Sequence, residues 1–181
     1  MTSPARKIRW RGRGEYRDDT EALLELPGDT AAVIRTRPRS LLIRCPDGCG
    51  DTLVINLDPR AGKAWSLTVR GERCSLYPSV WREDGCRSHF IVWRDHIVWC
   101  GRFEYGNEEP SYDGRLEAKV IAALDEATYR SGSDIAIDID EIPWDVLRVL
   151  RRLTWGGTVE EGDKDRRGHF RLAGADSKGS R

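Results

Sequence analysis

The chain has 181 residues with 30 basic and 30 acidic side chains, a length for one domain, or one domain and a small appendage. Zero net charge speaks against a broad nucleic-acid footprint, and no run of about 18 apolar residues is present to span a membrane. Met1 to Arg17 is polar and basic without an apolar core, so it is no secretory signal; a cytoplasmic, reducing location is expected, where clustered cysteines are metal ligands or catalytic thiols rather than disulfides.

In chain order, residues 1–30 read as an N-terminal arm. A strand is expected near Lys7 to Trp10, and a short helix over Asp18 to Leu26, capped by Asp19 or Thr20 and ended by Pro27-Gly28. Residues 31–105 read as a small antiparallel β-domain. Ala31 to Arg44 is patterned as a hairpin around Arg37-Pro38-Arg39. Thr52 to Leu57 and Ala64 to Val69 are further strands, separated by the turn Asp58 to Gly62. Cys74 to Trp81 contains Pro78, which donates no ladder hydrogen bond, so a shaped loop or edge is expected there rather than a central strand. Ser88 to Trp93 and Ile97 to Trp99 alternate cleanly and form a hairpin turning at Arg94-Asp95-His96.

After a linker over Gly101 to Gly114 the period changes. Leu116, Val120, Ile121 and Leu124 recur at helical spacing, which predicts a helix from Gly114 to Tyr129, broken by Ser131-Gly132-Ser133. Glu141 to Thr154 is a second helix with Pro143 in its first turn, ended by Gly156-Gly157. Thr158-Val159 and His169 to Leu172 then pair as a hairpin. With the middle helix squeezed into Ile135 to Ile139, residues 114–172 outline a winged-helix-like appendage, and 173–181 a disordered tail. The expected class is therefore α+β: a zinc-binding β-domain followed by a helical appendage.

All five cysteines, and two of the three histidines, fall between Cys45 and Cys100. Two turns carry paired soft ligands: Cys45-Pro46-Asp47-Gly48-Cys49 and Cys86-Arg87-Ser88-His89. Zn²⁺ takes four tetrahedral ligands from thiolate and imidazole, so Cys45, Cys49, Cys86 and His89 are the expected set, with Cys100 or Cys74 able to replace His89. Two chemistries stay open. With three protein ligands, a zinc-bound water would be the nucleophile, and Glu72, Glu83 or Asp84 its base. With four, zinc is structural and Ser79, Ser75 or Ser88 needs a neighbouring base; His89 would then be free for that role, with Cys100 on zinc. A thiol nucleophile, Cys74 or Cys100, is the third option. His96 and His169 are expected to be structural or solvated.

The run Leu42 to Gly50, then Leu76-Tyr77-Pro78-Ser79-Val80, then Cys86 to Phe90 and Ile97-Val98-Trp99, resembles a bacterial family of unknown-function domains. That family is found beside ubiquitin-like modifiers and their activating and conjugating enzymes. The resemblance covers about Val33 to Cys100 and stops short of the helical part. It implies a zinc-containing peptidase that processes or removes a ubiquitin-like protein by hydrolysis after its C-terminal glycine. It also implies metal ligands Cys45, Cys49, Cys86 and His89, and its Pro-Ser motif falls on Pro78-Ser79; taken with the chemistry above, Ser79, His89 and Glu83 are the catalytic candidates. Partners would be the ubiquitin-like protein, its conjugates, and the activating and conjugating enzymes. A glycine-ended tail offers no side chain to grip, so its backbone would add to a sheet edge, at the Pro78 segment or the His89 hairpin. The competing class is a non-catalytic zinc-ribbon-like module whose exposed aromatics (Trp65, Tyr77, Trp81, Trp93, Trp99) hold a protein or nucleic acid.

Overall fold

Short apolar runs between Asp29 and Asn56 build the first sheet of the computed structural model, which describes residues 3–102, 107 and 113–174. Strands β2 (Asp29–Ile34), β3 (Pro38–Arg44) and β4 (Thr52–Asn56) form an antiparallel meander. Strand β1 (Arg9–Gly14) pairs in parallel with β2, one departure from a purely antiparallel domain. A parallel neighbour needs a crossover, and helix α1 (Arg17–Glu21) lies within it. This helix is shorter than expected and has no side-chain cap; Thr20 is buried, and its hydroxyl donates to the Tyr16 carbonyl. The following turn is held by Asp29, whose carboxylate accepts the N–H groups of Glu25 and Leu26.

The second sheet is antiparallel throughout, in the order β5 (Ser66–Arg70), β6 (Arg73–Trp81), β7 (His89–Trp93), β8 (His96–Trp99). Here the expectation for Cys74 to Trp81 is corrected: the segment is a central strand, and it accommodates Pro78 in a break of register. Arg94 and Asp95 turn β7 into β8 with positive φ, at 49° and 68°.

The inner faces of both sheets share one core. Ala32, Leu41, Ile43 and Ile55 from the first meet Leu76, Val80, Phe90, Val92, Ile97 and Trp99 from the second. Stacking two half-apolar sheets removes both apolar faces from water, the dominant favourable term in folding. Backbone hydrogen bonds also join the sheets at both seams. Trp65 N–H donates to Asn56 O at 2.8 Å, Ile8 N–H to Asp95 O at 2.8 Å, and Ile97 N–H to Arg6 O at 2.9 Å.

The chain divides into two units, Met1–Glu109 and Pro110–Arg181. The expected linker lies largely outside the described residues, as does the expected tail beyond Gly174. In the second unit, α2 spans Gly114–Ala122 and stops well before Tyr129, because the Asp125 side chain captures the N–H groups of Ala127 and Thr128 in a turn. Ser131 does not simply break a helix: it caps a new one, α3 (Gly132–Asp138), by accepting Asp134 N–H. Leu147 packs closely on Gly132 there, since a Cβ would stand 2.5 Å from its Cδ2. Helix α4 (Pro143–Trp155) follows, and strands β9 (Arg130–Ser131), β10 (Val159–Glu161) and β11 (His169–Leu172) form a sheet in the order β10-β11-β9. The whole is a mixed α+β protein. Among the described residues no helix is long and apolar enough to cross a membrane.

Candidate functional site

Strand β6 loses register between Leu76, which faces Val92, and Val80, which faces Phe90. Four residues are used on β6 where β7 uses two, and pairing with β5 ends at Ser66 opposite Tyr77. Pro78 and Ser79 therefore have no partner in either neighbouring strand. A bulge is where a sheet tolerates proline, and it re-aims the side chains beside it.

The result at Ser79 is a hydroxyl set beside an imidazole. Its Oγ lies 3.1 Å from His89 Nε2, and among the described residues this is the only side-chain hydrogen bond of His89. Two tryptophans frame the pair. Trp65 Nε1 donates to the Ser79 carbonyl at 3.3 Å. Trp81, opposite His89 across the strands, places its ring 5.8 Å from the imidazole while remaining 64% exposed. A serine hydroxyl is a poor nucleophile until an adjacent base can take its proton, and the imidazole lies within hydrogen-bond reach of this hydroxyl.

On the other side of His89's chain neighbour lie the cysteines. Cys45 closes its loop with its N–H on Asp51 O and its carbonyl on Gly48 N–H, and Gly48 and Gly50 take φ of 85° and 91°. Cys86 sits in the loop between β6 and β7. The sulfurs of Cys45, Cys49 and Cys86 all lie within 4.8 Å of one another, with Cys45 and Cys86 at 3.6 Å. Tetrahedral thiolates at about 2.3 Å from zinc would stand about 3.8 Å apart, so these three sulfurs could hold a metal ion. Ser88 Oγ is 3.6 Å from the Cys45 sulfur and 3.5 Å from that of Cys86.

Burial pushes the Cys45 thiol up to about 12. For Cys86 burial also acts upward, but hydrogen bonds from the Ser88 side chain and backbone outweigh it and hold the thiol below its ordinary value. Arg82 ion-pairs with Asp51 and lies 3.6 Å from the Cys49 sulfur.

The residues expected to act together thus fall into two groups. Ser88 and His89 are consecutive, and successive side chains along an extended chain point to opposite faces; Ser88 turns to the sulfurs and His89 to Ser79. His89 and Cys100 are not in the sulfur group. Cys74 is a core residue, its thiol pushed up to about 12 by burial, with Asp95 adding to the effect. Ser75 is buried, and its hydroxyl accepts Arg94 N–H at the β7–β8 turn. Glu83 is exposed on the β6–β7 loop. Glu72 and Asp84 are likewise exposed. Trp65 and Trp81 were legible only as aromatics; what places them in the site is the bulge, which no spacing announced.

Residues 16–100 match the model of a family described as bacterial ubiquitination-like system serine protease (BubE). No curated protein and no solved structure matches the chain. The matched stretch includes Ser79, His89 and the three cysteines, and it ends before the second unit. The description names a serine protease, where the resemblance in sequence had suggested a zinc-containing peptidase.

Proposed function

We propose that this protein is a serine peptidase that processes or removes a ubiquitin-like protein, with Ser79 as nucleophile and His89 as general base. The observation carrying this is the 3.1 Å contact between Ser79 Oγ and His89 Nε2 inside the stretch matched by a serine-protease family. Ser79 Oγ attacks the carbonyl carbon of the substrate's C-terminal glycine as His89 takes the hydroxyl proton. The tetrahedral intermediate collapses, the leaving amine takes that proton from His89, and an ester to Ser79 remains. Water, deprotonated by His89, then hydrolyses the ester and returns the proton to Ser79. Trp81 shields one side of the imidazole and Trp65 fixes the Ser79 carbonyl, so both steps start from an ordered pair.

In this reading Glu83 has no catalytic part. Zinc on Cys45, Cys49 and Cys86, with Ser88 beside them, would supply a structural cross-link between two loops. The C-terminal unit, with helices α2 to α4 and its three-stranded sheet, is a winged-helix-like appendage outside the catalytic part.

The test is incubation with the ubiquitin-like partner carrying a C-terminal reporter. Wild-type protein should release the reporter, and Ser79→Ala at unchanged zinc content should lower the rate more than a thousandfold, about 4 kcal/mol of barrier. If wild-type protein leaves every fusion and conjugate intact, the peptidase reading fails and a non-catalytic binding module takes its place.

A further inference from the structure

The backbone beside the Ser79–His89 pair carries an open strand edge. Arg82 N–H donates to Ser88 O at 2.9 Å, which makes Trp81 and His89 a non-hydrogen-bonded pair of the antiparallel ladder. In such a pair the N–H and C=O of each residue point away from the partner strand. For His89 that side is β8, where its carbonyl accepts Cys100 N–H at 2.9 Å. For Trp81 it is the side of β5. But β5 pairs with β6 only as far as Ser66 opposite Tyr77, and among the described residues no strand is registered against β6 beyond that point. The edge is bounded at one end: the Ser79 carbonyl, facing the same side, already accepts the Trp65 indole.

We infer that this outer edge of β6 at Trp81 is where the substrate's extended backbone docks as an added strand, its scissile carbonyl delivered to Ser79. The inference rests on the serine-peptidase reading above. Three observations select an extended peptide as the occupant. Trp81 offers one outward donor and one outward acceptor, the pattern that pairs with a peptide backbone and needs no side chain from it. The edge ends at the nucleophile, because the Trp65 indole occupies the Ser79 carbonyl; a strand laid along Trp81 therefore arrives at Ser79 and goes no further in ladder register. The exposed Trp81 ring stands on the same side of the sheet as Ser79 and His89, so it forms a wall along the peptide. A tail of small residues fits beside that wall, whereas a bulky residue next to the scissile bond meets the indole. Such an edge holds a tail of small residues by main-chain contacts alone.

The experiment uses the full chain and a fluorogenic hexapeptide ending in two glycines with a C-terminal aminocoumarin amide. A serine-directed fluorophosphonate first reports whether Ser79 is a nucleophile. A series of peptides is then compared, each with one backbone nitrogen methylated. N-methylation deletes one donor and blocks one strand contact, so kcat/KM should fall about tenfold or more at alternate positions and stay within about twofold at those between, the two-residue period of a strand. Trp81→Ala keeps the outward N–H and Trp81→Pro removes it; the proline variant should be the weaker of the two on the unmodified peptide, through KM. Fluorophosphonate labelling and peptide cleavage with every N-methylated peptide cleaved at the parent rate would overturn the docking edge while leaving the serine reading intact. Failure of the fluorophosphonate to label Ser79, with no cleavage, sinks the peptidase reading and the edge with it.

Discussion

Zinc held as proposed by Cys45, Cys49 and Cys86 should stabilise the β-unit by an amount its topology allows to be worked out. Cys45 and Cys86 are 41 residues apart in sequence with sulfurs 3.6 Å apart, so a zinc ion joining them closes a long loop. In the chain-entropy treatment of a cross-link, a loop of that length is worth about 4 kcal/mol. For a unit of this size each kcal/mol moves the melting temperature by about 4 to 8 °C, which predicts a fall of roughly 15 °C or more. Purified protein should hold close to one equivalent of zinc, and a strong chelator should produce that fall reversibly. Cys86→Ser should reproduce it without chelator. Because Ser88 touches the Cys45 and Cys86 sulfurs and precedes His89, fluorophosphonate labelling of Ser79 should slow in parallel. Zinc below about half an equivalent, or a melting temperature unmoved when zinc is stripped, would refute the assignment of a structural cross-link.

Further outcomes follow from the same contacts. Glu83→Gln should cleave the reporter fusion at the wild-type rate while His89→Ala loses more than a thousandfold; the reverse pattern would restore a metal-activated water with an acidic base. Acid should destabilise the β-unit through two buried carboxylates. Arg60 hydrogen bonds outweigh burial at Asp58, and bonds from Leu26 N–H, Arg9 and Glu25 N–H outweigh it at Asp29, so both titrate below their ordinary range. Their stabilisation is present above the unfolded value of about 3.9 and lost as pH falls through the native values; Asp29→Asn with Asp58→Asn should flatten the fall in melting temperature below about pH 4, and an unchanged acid slope would discount these pairs. A chain truncated after Glu109 should keep its β-sheet circular dichroism and its zinc, and loss of either on truncation would show that the units depend on each other.

Much of this was legible because it depends on short-range pattern. The hairpin around Arg94-Asp95, the meander from Ala31 to Asn56 and the helix led by Pro143 follow from alternation, turn residues and helical spacing, all of which survive tertiary context when they agree. The paired cysteines were legible for a similar reason, since ligands brought together by tight turns need little from the rest of the fold. The parallel pairing of β1 with β2 was not legible, because it is decided by a crossover and a shared core rather than by residues 9–14 themselves. Ser131-Gly132-Ser133 misleads for another reason. The helix before them has already ended at the Asp125 turn, and Ser131 instead caps the helix that follows, where Leu147 packs close on Gly132.

Pro78 is the instructive case, since the feature that made its segment look unlike a central strand is the one that builds the site. A proline in a regular ladder would leave a carbonyl without its donor. The sheet avoids this by spending two extra residues of β6 between Leu76 and Val80. Those residues are then free of the ladder on both sides, and the second of them is Ser79, its hydroxyl 3.1 Å from a histidine that regular strand β7 holds in place. Local rules are broken here while the core beneath, with Leu76, Val80 and Phe90 all buried, stays intact. That combination, an irregular backbone on a well-packed support, both presents and holds the hydroxyl proposed as the nucleophile.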